Sequence, residues 1–175
     1  MTTRRSFLQG TGAVVLYFNM VPTSVLAQQA AAGGDLPGSL AANPSLDTWL
    51  RIDADGFVTL SPGKCELGQG IQTALAQIAA EELDVSFERV TVDNVDTAFS
   101  PDEAYTNGSR SVEVSGAAVR AAAAEVRAIL IDLAADELAV DSGRIGVRDG
   151  VFTIDKRDSQ LGYGDVIGDR SLARE

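Results

Sequence analysis

The residues best suited to chemistry form one run, Gly63-Lys64-Cys65-Glu66-Leu67-Gly68-Gln69-Gly70-Ile71, followed by the regularly spaced Leu75, Ile78, Ala79 and Leu83. A strand entering a helix through two glycines lets the backbone approach a ligand closely, and the free N–H groups at a helix start favour an anion. Gln69, between the glycines, adds an amide donor and acceptor. The same residues also describe an ordinary tight turn, because glycine turns are permissive; on the residues alone both readings stand. A dinucleotide fingerprint fits less well, since Gly68-x-Gly70-x-x-Thr73 lacks the third glycine and no acidic strand end follows where one is needed. Glu66 invites a role as a base, but that role needs a proton positioned beside a reacting centre, and we set it aside. Cys65 reads as a small buried packing residue.

Composition removes several classes of function. Lys and Arg total 14 against 25 Asp and Glu, a net charge of −11 spread along the 175 residues, so the surface is unsuited to a phosphate backbone and no nucleic-acid partner is expected. With Cys65 the only cysteine, no internal disulfide forms, and the chain cannot alone hold an iron–sulfur cluster, which needs about four thiolates. The absence of histidine excludes Ser-His-Asp and Cys-His catalysis, His-ligated zinc and His-ligated haem in this chain. Asp53-Ala54-Asp55-Gly56 suggests calcium only superficially, because Lys64 stands where an EF-hand loop ends in glutamate.

These residues must be positioned by the elements around them. The start, Thr2-Thr3-Arg4-Arg5-Ser6-Phe7-Leu8-Gln9 and then an apolar run from Ala13 to Phe18, has the layout of a twin-arginine export signal with a cleavage site at Val25-Leu26-Ala27. Residues 1–27 are therefore expected to be removed, with an uncleaved anchor as the rival. Asn19 and Pro22 spoil the run as a membrane span, so no stable span is expected after processing, and the product is expected in the periplasm, exported folded. A common reason for that route is a cofactor inserted in the cytoplasm. Residues 28–45 read as a flexible linker, 46–168 as the folded domain and 169–175 as a truncated tail.

Within the domain, Leu50 and Ile52 alternate against Val58 and Leu60 across an Asp-Gly turn, predicting a hairpin. A helix follows Gly70 to about Asp84, then a strand over 89–95 and an irregular stretch to about Arg110. Val119, Ala122, Ala123, Val126, Ile129, Leu130, Leu133 and Leu138 predict a long helix over 111–139, with alanines suited to packing on a sheet. A second hairpin joins 145–147 to 151–154 through Arg148-Asp149-Gly150. The order ββαβαββ predicts an α+β layer sandwich with two helices packed on one sheet face.

The run from Gly63 to Leu83 resembles the Gly-Gln-Gly segment of the molybdopterin-binding large subunits of the xanthine dehydrogenase and aldehyde oxidase superfamily, most nearly the isoquinoline 1-oxidoreductase beta type. The likeness extends over residues 46–167, through Tyr105-Thr106-Asn107-Gly108-Ser109-Arg110-Ser111, the alanine-rich helix and Leu161-Gly162-Tyr163-Gly164-Asp165-Val166. It implies that Gly68, Gln69 and Gly70 contact the pterin or the molybdenum ligand sphere, and that Thr106, Gly108, Ser109 and Ser111 meet the cofactor's phosphate side. The start of the 111–139 helix would also suit an anion, with N-capping by Ser109 or Ser111 as the alternative.

The implied cofactor is molybdenum–molybdopterin, a dinucleotide form included, with the metal held by the pterin dithiolene rather than by protein. The implied reaction is hydroxylation of an aldehyde or N-heteroaromatic carbon with water as oxygen source. Electrons would pass to a small iron–sulfur subunit and on to a cytochrome. The family's late Gly-Gly-Gly-Phe-Gly motif and catalytic glutamate are absent, so the chain reads as an N-terminal portion of a longer subunit. A truncated, inactive α+β domain and a periplasmic small-ligand-binding domain are the competing readings.

Overall fold

Alternation of buried and exposed residues places Leu50–Ile52 (β1) antiparallel to Val58–Leu60 (β2), Leu50 opposite Leu60 and Ile52 opposite Val58. The computed structural model describes residues 36–167. The β1–β2 turn is built by Asp53, whose Oδ1 accepts the N–H groups of Asp55 at 3.0 Å and Phe57 at 2.9 Å, while Gly56 takes φ +79°. Helix α1 (Ile71–Leu83) carries the chain over to Val90–Val92 (β3), which pairs parallel to β2. Such pairing requires a crossover, and α1 supplies it. The helix stops where Asp84 turns left-handed at φ +54°.

A five-residue π-helical turn, Val112–Gly116, leads into α2 (Ala117–Leu138). Ala118, Val119, Ala122, Ala123, Val126, Leu130 and Ala134 form its buried stripe at helical spacing. The alanines serve mainly a helix–helix contact with α1, rather than a sheet, because α1 also presents Ala76, Ala79 and Ala80. At Gly116 a Cβ would stand 3.0 Å from Ile78 Cδ1.

Ile145–Arg148 (β4), Val151–Ile154 (β5) and Arg157–Gly162 (β6) form an antiparallel meander, followed by the short helix α3 (Tyr163–Ile167). Asp149 at φ +48° and Gly150 at φ +74° make the tight two-residue hairpin turn that an Asp-Gly pair favours. The expected α+β class holds, with three differences in arrangement. The strands divide between two three-stranded sheets, the short helix α3 is added, and β6 is an additional strand. Its Arg157-Asp158-Ser159-Gln160 sequence has no apolar alternation because it is an edge strand, where charge discourages further pairing.

The two sheets meet at the C-terminal end of α1. Gly150 N–H donates to the Asp84 carbonyl at 2.8 Å, Ser86 N–H to Asp149 Oδ1 at 2.7 Å, and the buried Tyr163 hydroxyl to the Leu83 carbonyl at 2.6 Å. Phe152 packs edge-on against Tyr163, ring centroids 5.4 Å apart.

The domain begins earlier than residue 46, correcting the extent of the expected 28–45 linker. Gly38–Ala41 forms a 3₁₀ turn, Leu40 is only 1 % exposed, and Asn43 accepts the Trp49 indole N–H at 2.8 Å through its carbonyl. Small residues here serve close packing: Gly38 has φ +59°, and a Cβ on it would lie 2.0 Å from the Val114 carbonyl oxygen. The expected leader, the first part of the linker and the tail lie outside the described residues. Among the described residues no helix is long and apolar enough to cross a membrane.

Two outcomes follow from this packing. Gly38→Ala should lower unfolding free energy by about 2 kcal/mol or more in urea, because it combines backbone strain with a clash against a carbonyl. On α2, Glu125 is 4 % exposed with Oε1 lacking a partner, and burial, then repulsion from Asp132, pushes its carboxyl up to about 7. The native state therefore holds this proton more tightly than the unfolded chain. Stability should fall as pH rises from 4.5 to about 7, by on the order of 2–3 kcal/mol. Urea midpoints for Glu125→Gln should lose that part of the slope; an unchanged pH profile would refute the assignment.

Candidate functional site

Gly68 at φ +90° and Gly70 at φ +78° present bare backbone, with no atom within 4 Å of where a Cβ on either would stand. Their left-handed angles aim two N–H groups at one side chain. Glu66 Oε1 accepts from Gly68 N–H at 2.7 Å and Gly70 N–H at 3.0 Å, and Oε2 from Gln72 N–H at 3.2 Å. The amides of Gly70, then Gln72, hold this exposed carboxyl below the usual glutamate range, partly offset by desolvation. The N–H groups of Gly68 and Gly70, read from sequence as open to an external anion, thus already face one supplied by the chain.

Gln69 folds back on the same turn. Its Oε1 accepts Leu67 N–H at 2.5 Å and its Nε2 donates to the Cys65 carbonyl at 2.9 Å. One amide hydrogen and one lone pair remain on the carboxamide. Cys65 is exposed rather than buried, because the strand has left the core by this point and only its backbone is engaged.

The second half of the site is the segment over 101–111. Cys65 N–H donates to Thr106 Oγ1 at 2.8 Å, which leaves the Thr106 hydroxyl proton free to point outward. Beneath this bond lie two buried charges, Lys64 at 6 % and Glu103 at 7 % exposure. Lys64 Nζ donates to the carbonyls of Glu103 at 2.5 Å and Tyr105 at 3.1 Å. The Glu103 carboxylate accepts Gly63 N–H at 2.8 Å, the Ser115 hydroxyl at 2.8 Å and the Ser39 hydroxyl. Glu103 so ties the strand before the turn, the loop and the π turn together. Sequence reading missed both residues, because their bonds join segments 12 to 64 residues apart.

Of the other expected loop residues, Gly108 at φ +63° and Ser109 at φ +57° are exposed, and Ser111 is half-buried. None of the three hydrogen-bonds to the Gly-Gln-Gly turn. The Ser111 side chain makes no capping bond to the π turn that follows. Arg110 runs beside Gly108, its side-chain carbons 3.8 Å from where a Cβ would stand. Leu67 and Tyr105 are 71 % and 83 % exposed and give the site an apolar rim. The arrangement can hold and orient a polar, extended molecule through an amide, a hydroxyl and bare backbone. The Glu66 carboxylate is engaged by backbone amides rather than free as a base.

Comparison with known proteins identifies the family of this α+β domain. The molybdopterin cofactor-binding domain model matches residues 3–174, and the chain belongs to that family. The chain is 31 % identical over 181 residues to the beta chain of the isoquinoline 1-oxidoreductase of Brevundimonas diminuta, covering 94 % of this chain and 22 % of the relative. A nicotinate dehydrogenase polypeptide of Pseudomonas putida is 30 % identical over 165 residues, 94 % of this chain and 13 % of that protein. Among solved structures, the reconstituted CO dehydrogenase from Oligotropha carboxidovorans matches with a TM-score of 0.60 and 29 % identity, over 67 % of this chain and 15 % of that one. The chain thus spans less than a quarter of the length of these relatives.

Glu103→Ala would strand the Gly63 amide and two serine hydroxyls inside the protein. It should cost about 3 kcal/mol or more in chemical denaturation. Loss of amide protection at Gly63 in hydrogen exchange would localise the damage to the site; a variant as stable as wild type would refute the role.

Proposed function

We propose that the chain forms the Gly-Gln-Gly cradle of a molybdenum hydroxylase large subunit. One observation carries this reading: an open backbone turn at Gly68 and Gly70 that presents the Gln69 carboxamide, in a chain of the molybdopterin-binding family. The residues fit such a cofactor. Gly68 and Gly70 let a large ring system approach the backbone, and Gln69 retains one donor and one acceptor to orient it. Thr106, Gly108, Ser109 and Ser111, with the Arg110 side chain running beside Gly108, suit the cofactor's phosphate side, including that of a dinucleotide form. When bound, the cofactor would supply the oxidation–reduction chemistry for hydroxylation with oxygen from water.

The names of the relatives support N-heteroaromatic compounds and aldehydes as substrates. With Cys65 its only cysteine, this segment cannot itself hold an iron–sulfur cluster, and we place the clusters that would carry electrons away on a small partner subunit, with a cytochrome as the next acceptor. The paired Arg4-Arg5 and the apolar run after them support folded export by the twin-arginine route and a periplasmic enzyme.

The direct test is the intact mass and molybdenum content of the native product isolated with whatever co-purifies. A longer polypeptide carrying molybdenum is expected; a metal-free product of this length would overturn the proposal. In the loaded enzyme, Gln69→Ala should lower hydroxylation roughly 10- to 100-fold, as losing an orienting partner near a metal does, with molybdenum content kept.

A further inference from the structure

The amides of Gly68, Gly70 and Gln72 converge on a carboxylate only two to six residues away in the chain. Such a tether gives Glu66 an effective concentration that a free phosphate does not reach. A second anion at the same amides would also meet like-charge repulsion. The left-handed angles of Gly68 and Gly70 swing both N–H groups onto one oxygen, Glu66 Oε1. The glycines therefore shape the turn around its own carboxylate as well as clearing space for a ligand. Gln69 laces the turn from the other side, through Leu67 N–H and the Cys65 carbonyl.

We propose that Glu66 is the resident anion of the Gly-Gln-Gly turn and a positioning residue for Gln69, so that the cofactor's phosphate is met by the 106–111 loop and not by the start of α1. The statement about Gln69 and the cofactor rests on the hydroxylase reading; occupation of the amides by Glu66 does not. Glu66 touches no reacting group in this role. It fixes the backbone from which the carboxamide is presented.

Amide resonances of Gly68, Gly70 and Gln72 in the isotope-labelled full chain test this, with inorganic phosphate as the probe. In the wild type at pH 7 they should not move with phosphate. On acidification they should shift together, with a midpoint below the usual glutamate range. In Glu66→Ala the same amides should become phosphate-responsive, with an apparent affinity at least tenfold higher, and Glu66→Gln should fall between. Wild-type amides that bind phosphate as the alanine variant does, or that ignore acidification, would overturn the proposal. If the alanine variant fails to fold, the wild-type acid and phosphate titrations decide alone. In the complete loaded enzyme, Glu66→Gln should lower kcat with molybdenum content retained; loss of the cofactor itself would assign the phosphate to these amides and count against the proposal. A complete wild-type enzyme devoid of molybdenum would instead defeat the hydroxylase reading and leave the amide result standing.

Discussion

A buried carboxylate has to be surrounded by donors or it destabilises the fold, and Glu103 meets that demand by drawing donors from three distant parts of the chain. The Ser39 hydroxyl, the Gly63 amide and the Ser115 hydroxyl all converge on it. Lys64, equally buried, donates to the backbone carbonyls of Glu103 and Tyr105. Because Gly63 precedes the Gly-Gln-Gly turn and Ser115 lies in the π turn before α2, satisfying one carboxylate sets where both halves of the candidate site stand. The Cys65 to Thr106 bond then sits above an already fixed pair of segments.

The helices complete this framework through small residues. Alanines on both α1 and α2, with Gly116 at the near end, let the two axes come close, so the starts of both helices lie on the side of the domain that carries the turn and the loop. Ion pairs such as Arg51 with Asp93 and Arg148 with Asp158 are largely exposed and add little by comparison.

What the sequence discloses follows the range of each interaction. The two hairpins, the starts and stops of α1 and the stripe of α2 depend on alternation, period and Asp-Gly turns, all set within a few residues. Leu40 and Ser39 are hidden by a glycine- and proline-rich neighbourhood that looks like a linker, although Gly38 is small because Val114 passes over it. β6 escapes notice because an edge strand has one apolar duty fewer than an inner one. Glu103 is invisible for a different reason, since nothing adjacent in the chain reports partners so far away. Glu66 is the instructive intermediate case. Its bonds are short in sequence, but a glutamate beside a ligand-binding turn is first weighed for proton transfer, while its actual partners are backbone amides.

Helix α1 has a further property as a rigid spacer. Thirteen residues at about 1.5 Å each make a rod about 20 Å long. One end carries the Gly-Gln-Gly turn, and the other is clamped to the β4–β5 hairpin through Asp84 and Ser86 and to α3 through the Tyr163 hydroxyl. The rod is also packed along α2, and its turn is tied to the loop by the Gly63–Glu103 and Cys65–Thr106 bonds, so it is held at both ends and along one side. The far hairpin thus sets the spacing between its own sheet and the turn, whose internal geometry is conserved by the bonds that lace it. The second sheet, which contributes no candidate ligand contact, is in this sense the mount from which the cradle is aimed.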